Sequence, residues 1–390
     1  MFADWVERIA PFRVMEVLAR AAKHEAEGKR VVHFEVGEPD FETAPPIVKA
    51  GIKALEEGRT KYTPATGIAA LRDLIVGHYA AMGVSIHADQ VIVTSGASGG
   101  LTLLAGLLLD PGDEMLITDP GYPCNEVFAR LAGGVPVPIP VHAAHKFQPT
   151  VNDVESAWGP STKGVLMASP SNPTGTMMSK ETLLGISASV KAKGGFFILD
   201  EIYQGITFDS PYQSGLELTS DIYVLNSFSK FFGMTGWRLG WLVVPEEAVD
   251  PVTKLAQNLF ISPSTPAQYA AVAAFTPEAM KFHHHRAQIF AQRASLLYEG
   301  LRDLGFEIPV APEGAFYLYV DVSHTGMAAG DFCWRLLDEY QVAVTPGEDF
   351  GHHQHAQFVR FAYTTDEDSM KLGLRRLAQA LADWGCCATT

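Results

Sequence analysis

One lysine in this chain sits where its amine could do chemistry. The run Ser227-Phe228-Ser229-Lys230-Phe231-Phe232-Gly233-Met234-Thr235-Gly236-Trp237-Arg238-Leu239-Gly240 follows the apolar stretch Ile222 to Leu225. A lysine amine becomes a useful nucleophile when its pKa falls, and a partly buried, cation-rich pocket lowers it. Lys230 has Arg238 downstream, Ser227 and Ser229 just before it, and glycines that let backbone approach a ligand closely. Hydroxyls and an arginine fork suit a phosphate. Taken alone, the same run also describes a surface lysine in a glycine-rich turn. Beside a phosphate site, it points to pyridoxal phosphate held as a Schiff base.

Other stretches carry complementary chemistry. In Thr94-Ser95-Gly96-Ala97-Ser98-Gly99-Gly100, small residues open a helix after a strand, so Gly96, Ala97 and Ser98 offer free N–H groups and a helix dipole to an anion. The run matches neither a Walker loop nor a dinucleotide fingerprint. Ile198-Leu199-Asp200-Glu201-Ile202-Tyr203 ends an apolar strand on a carboxylate, which is costly unless paired. Asn172 stands in the turn Ser169-Pro170-Ser171-Asn172-Pro173-Thr174-Gly175. Arg360 is central in the strand Gln357 to Ala362, where its planar fork suits a carboxylate; an ordinary surface ion pair is the alternative. His283-His284-His285 and His352-His353-Gln354-His355 lack acidic or cysteine partners at ligand spacing, so both are expected to be solvated loops rather than metal sites. No Ser-His-Asp order or nucleophile elbow is visible.

The elements that must position these residues alternate. Apolar strands are expected at Val91–Val93, Met115–Ile117, Val165–Met167, Phe196–Leu199 and Ile222–Leu225. Helices are expected at Gly67–Ala81, Ala97–Leu109, Asn125–Ala132, Lys180–Ala192 and Glu246–Asn258. Continuous apolar strands separated by helices imply an α/β fold with a mostly parallel sheet covered on both faces. From about His283 a long helix, Arg286 to Leu304, leads into a different pattern: strands at Phe316–Val320 and Phe358–Phe361, helices at Phe332–Tyr340 and Glu367–Trp384. The expectation is a large domain over residues 47–285 and a smaller α+β domain formed by residues 1–46 with 286–390.

At 390 residues and 47% apolar, the chain is long enough for two domains. A formal charge of −15 argues against a nucleic-acid surface. The stretch Met1-Phe2-Ala3-Asp4-Trp5-Val6-Glu7-Arg8 lacks the basic start and apolar run expected of a signal peptide, and the apolar stretch Leu101 to Leu109 is too short for a membrane span. Cys124, Cys333, Cys386 and Cys387 show no metal spacing, and the adjacent last two are expected to be bystanders. A reduced, cytoplasmic protein fits.

Taken in order, these stretches resemble the class I/II aminotransferases of fold type I, in the aspartate/alanine aminotransferase branch, across nearly the whole chain. The resemblance implies pyridoxal 5'-phosphate on Lys230, with Gly96, Ala97, Ser98, Ser227, Ser229 and Arg238 around its phosphate. It implies an aromatic, Tyr122 in Asp119-Pro120-Gly121-Tyr122-Pro123, stacked on the pyridine ring. Asp200 would pair with the protonated ring nitrogen, and Asn172 and Tyr203 would bond the phenolic oxygen. The Gly37 backbone, in Val36-Gly37-Glu38-Pro39-Asp40-Phe41, and Arg360 would hold the substrate carboxylate. Tyr62, in Lys61-Tyr62-Thr63-Pro64-Ala65-Thr66-Gly67, would reach the neighbouring subunit's phosphate and require a homodimer.

The implied activity is ping-pong transfer of an amino group from an L-amino acid to a 2-oxo acid such as 2-oxoglutarate, with Lys230 as base. A β-lyase of sulfur amino acids on the same site is the alternative. A regulator's effector domain would need an N-terminal DNA-binding module, and the Gly37 loop comes too early to leave room for one. Nothing near Ser98 supplies the lysine with which some aspartate-selective relatives hold a distal carboxylate. Arg13 could replace it or could serve helix packing.

Overall fold

The computed structural model describes residues 2, 4–208, 210 and 213–386; Cys387 lies outside them. Its strands are β1 Val32–His33, β2 Val91–Thr94, β3 Glu114–Asp119, β4 Val135–Pro140, β5 Thr162–Ala168, β6 Phe196–Asp200, β7 Tyr223–Ser227, β8 Gly240–Val243, β9 Tyr317–Asp321, β10 Val342–Ala343, β11 Thr345–Pro346 and β12 Phe358–Ala362. Seven of them form one sheet in the order β2-β8-β7-β6-β5-β3-β4. All its pairings are parallel except those of β8, which runs antiparallel to both β2 and β7. The fold is therefore α/β with a mostly parallel sheet, of the fold type I kind.

Burial on both faces explains the apolar strands. In β6, Phe197 and Leu199 enter one core cluster while Ile198 enters the other, as the two-residue period of a strand requires. Helices Gly96–Leu108 and Val249–Leu259 bring Leu101, Leu104, Val252 and Ala256 to the Ile198 side. Two strands of this seven-stranded sheet escaped the sequence reading. β4 reads Val-Pro-Val-Pro-Ile-Pro and is an edge strand, where prolines at alternate positions turn their missing donors away from β3. β8 follows the lysine run with only Leu239 between it and Arg238, and so does not stand out as a separate apolar segment.

After the sheet, the helix Pro277–Asp303 begins well before the expected Arg286, because Thr276 caps it by accepting from the Ala279 N–H and Pro277 suits its first turn. The triplet His283–His285 therefore lies inside a helix, not in a solvated loop, and His283 is fully buried against Phe231 and Phe232. The expected boundary between residues 285 and 286 falls within this unbroken helix. Beyond it, β11, β12 and β9 form a three-stranded antiparallel sheet, and β1 pairs with β10. The N-terminal helix Arg13–Ala26 packs Val17 and Ala21 onto Val31, Leu337 and Ala343. Among the described residues, no helix is long and apolar enough to cross a membrane.

Candidate active site

The carboxyl ends of β3, β5, β6 and β7 release their chains on one side of the sheet, the place where open α/β sheets collect ligands. A cavity of about 430 Å³ opens there. Tyr122, Asn172, Asp200, Tyr203, Ser227, Ser229, Lys230 and Arg238 line it, joined by Ala97 and Ser98 from a helix N-terminus, Gly37 from the loop after β1, and Arg360 from β12.

Lys230 donates through Nζ to the Gly37 carbonyl at 2.7 Å, beside the rings of Phe316 and Tyr203. Burial lowers its pKa to about 8; Arg360 and Arg238 push the same way, and Glu38 and Asp200 oppose them. Asp200 ends β6, 5% exposed, and accepts the Ile202 N–H at 3.0 Å. It makes no ion pair among the described residues, and burial raises its carboxyl to about 7. Such a carboxylate fits a cationic ring nitrogen.

Beside this lining, Gly96 and Arg238 could hold an anion. Gly96 has φ +70°, and a Cβ there would meet Arg238 Nη2 at 2.6 Å. Ser95 begins the helix Gly96–Leu108 without a side-chain cap, so its leading N–H groups stay available to a phosphate. Ser227 Oγ accepts the Ser229 N–H at 3.0 Å, and Arg238, itself at φ +54°, donates to the Thr235 carbonyl at 3.0 Å. Arg360, 4% exposed, donates to Asn172 Oδ1 at 2.9 Å, to Thr345 Oγ1 at 3.3 Å and to the Glu35 carbonyl. Its guanidinium lies between Tyr317 and Phe350, 4.4 and 4.8 Å from the ring centres. Among the described residues the buried Arg360 Nε has no partner, a donor that a carboxylate would satisfy.

Not every expected residue joins this set. Tyr62 is 80% exposed and does not line the cavity. Arg13 points its side chain at Glu16, 2.8 Å away, rather than into the cavity. The tract His352–His355 is a turn whose His352 and His353 N–H groups donate to the Asp119 carboxylate, and no metal-holding cluster occurs among the described residues. The sequence reading missed Tyr317, whose hydroxyl bonds that of Tyr203 at 2.9 Å; its strand read as plain core. It also missed Phe12, Met15 and Leu18, which line the cavity from the N-terminal helix and the residue before it. Their three-residue spacing was the available signal.

A mostly parallel sheet with a desolvated lysine, an arginine beside a helix N-terminus and a buried carboxylate at its carboxyl edge is an arrangement that fits a fold type I pyridoxal-phosphate enzyme. The family model for aminotransferase class I and II matches residues 29–377, and the chain belongs to that family of pyridoxal-phosphate-dependent transaminases. It is 37% identical to the (5-formylfuran-3-yl)methyl phosphate transaminase of Methanocaldococcus jannaschii, over 95% of this chain and 96% of that protein. It is 36% identical to the valine–pyruvate aminotransferase of Mycobacterium tuberculosis, over 96% of this chain and 97% of the other. The solved structure of Thermus thermophilus aspartate aminotransferase with maleate superposes at a TM-score of 0.91, with 32% identity, covering 98% of this chain and 100% of that one.

Proposed function

We propose that this enzyme moves the amino group of an L-amino acid to a 2-oxo acid, with 2-oxoglutarate as an acceptor, in a ping-pong cycle. One observation carries the reading: a desolvated amine, a buried carboxylate without an ion pair and a buried guanidinium with a free Nε converge on one cavity. When bound, pyridoxal phosphate supplies a cationic ring that accepts electron density from the substrate's α-carbon. Lys230 would carry it, and Asp200 would keep its ring nitrogen protonated. Tyr122 would stack on the ring, while the Asn172 amide and the Tyr203 hydroxyl would donate to its phenolic oxygen. Gly96, Ala97, Ser98, Ser227, Ser229 and Arg238 would hold the phosphate. Arg360 grips the substrate carboxylate together with the Gly37 backbone, which orients the α-hydrogen toward Lys230 Nζ. Once the donor's amino group has displaced it from the cofactor, the Lys230 amine, kept from full protonation by burial, would be free to take that proton as a base. The donor would leave its amino group with the cofactor and depart as its oxo acid before the acceptor enters the same Arg360 site, which would make the kinetics ping-pong.

The active unit we propose is a homodimer. Tyr62 is exposed on the loop before the helix Ala69–Ala81, and Val48, Ile52 and Leu55 form an exposed apolar stripe on the helix Pro45–Glu56. Both features suit a face covered by a second copy. The cavity between the large sheet and the three-stranded sheet supports reading 47–285 and 1–46 with 286–390 as two units. Cys124, Cys333 and Cys386 are free, in keeping with a reducing cytoplasmic setting.

The test is borohydride reduction of the holoenzyme followed by peptide mapping, with a panel of amino donors assayed against 2-oxoglutarate. Cofactor on Lys230 and glutamate formation are expected. A label on Lys180 or Lys254 would refute the lysine assignment. Pyruvate released from cystathionine without any acceptor would favour a lyase.

A further inference from the structure

The N-terminal helix carries more apolar surface than its packing uses. Val14, Val17, Ala21 and His24 are its buried face. Phe12, Met15 and Leu18, spaced three apart, form a second stripe that lines the cavity beside Lys230 and Arg360. Met15 is 55% exposed and Phe12 38%, so the protein core does not cover them, and their cavity-facing surface is open to a side chain that enters.

The stripe is held in register with the carboxylate site. Asp349 accepts the N–H groups of Arg13 and Val14 at 2.6 and 3.1 Å, anchoring the first turn of the helix. Its neighbour Phe350 lies against the Arg360 guanidinium. Two adjacent residues thus tie the group facing the substrate's carboxylate to the wall that meets its side chain.

The charges around the cavity point the same way. Its lining cations are Lys230, Arg238 and Arg360, and each already has a task in the proposed reaction. The lining acid without such a task is Glu38, and Arg13 is turned to Glu16. A carboxylate on the substrate's side chain would lose water there and, among the described residues that line the cavity, meet no free cation. An apolar side chain gains burial instead.

We infer that the enzyme's amino donors are monocarboxylic amino acids with apolar side chains of leucine, methionine or phenylalanine size, and that Phe12, Met15 and Leu18 set this specificity. The inference rests on the proposed aminotransfer. Because donor and acceptor share one space, 2-oxoglutarate turns over more slowly than an apolar oxo acid such as 4-methyl-2-oxopentanoate.

The experiment mixes holoenzyme with one donor at a time, without acceptor, and measures the second-order rate constant for oxo acid release. Leucine is expected to exceed aspartate and glutamate by at least about tenfold. Met15→Arg and Leu18→Arg each place a cation in the wall and are expected to raise the aspartate-to-leucine ratio by about tenfold or more. Aspartate or glutamate reacting faster than leucine in the unaltered enzyme overturns the inference. So does a ratio that neither variant changes. If no donor releases an oxo acid from the unaltered holoenzyme, the aminotransfer reading itself falls, a result distinct from a reversed preference.

Discussion

Lys230 and Asp200 are displaced from their ordinary ionisation in opposite directions by one cause, removal from water. Burial disfavours the ammonium of Lys230, bringing its pKa to about 8, and disfavours the carboxylate of Asp200, raising it to about 7. The sign gives a pH prediction for Lys230. Below about 8 the amine is protonated and inert toward an aldehyde; above it the amine is free. Covalent loading of cofactor-free enzyme at fixed pyridoxal phosphate is therefore expected to rise through pH 8 and then level off. A rate still climbing beyond pH 9, as an ordinary lysine would show, contradicts the burial argument. Asp200→Asn keeps the shape of the side chain but cannot hold a ring nitrogen protonated. Its turnover is expected to fall by about a hundredfold or more, on the order of 3 kcal/mol of barrier. Near-normal steady-state rates would remove Asp200 from the reaction.

At the scale of elements, the proposed phosphate cradle depends on how closely a strand approaches a helix end. β8 brings Gly240 so near the helix Gly96–Leu108 that a Cβ there would meet Ala97 N at 2.9 Å, the Gly96 carbonyl carbon at 2.9 Å and Asn226 O at 2.8 Å. All three are backbone atoms and cannot swing aside. Gly240→Ala is expected to push the helix N-terminus off the sheet, costing roughly 1–3 kcal/mol of stability and weakening cofactor binding. Urea unfolding and a spectral titration with pyridoxal phosphate would read both effects; unchanged stability and affinity would show that the close approach is not needed. The antiparallel insertion of β8 between β2 and β7 is what delivers Gly240 to that point.

For the whole molecule, the proposal that each subunit completes the other's site has a specific consequence under two-fold symmetry. Tyr62→Ala and Lys230→Ala, each expected to be severely impaired alone, should partly rescue one another when mixed as hybrid dimers. One site of the hybrid then carries both defects and the other neither. Activity recovered on mixing, read against each variant alone, is the measurement. A fully active monomer in sedimentation at assay concentration would end the proposal.

What the sequence determined by itself was local. Lys230, Asp200, Asn172 and the Gly96 turn each belong to a short strand-to-turn run whose residue types state their chemistry, and the structure brings all of them to the carboxyl edge of one sheet. Tertiary structure decided what converges and what is dry. Lys230 meets the Gly37 carbonyl across 193 positions and Arg360 meets Asn172 across 188, contacts created by the path of the chain between two sheets rather than by any spacing. The same holds for His283, which reads as a polar triplet but is buried because the helix starting at Pro277 turns it onto Phe231 and Phe232. The stripe Phe12, Met15 and Leu18 has helical spacing in the sequence, yet only the fold shows that it faces a cavity instead of the core. Periodicity reports that a face is apolar; the neighbour that covers it depends on long-range packing, and so do the burial and fields that move a pKa.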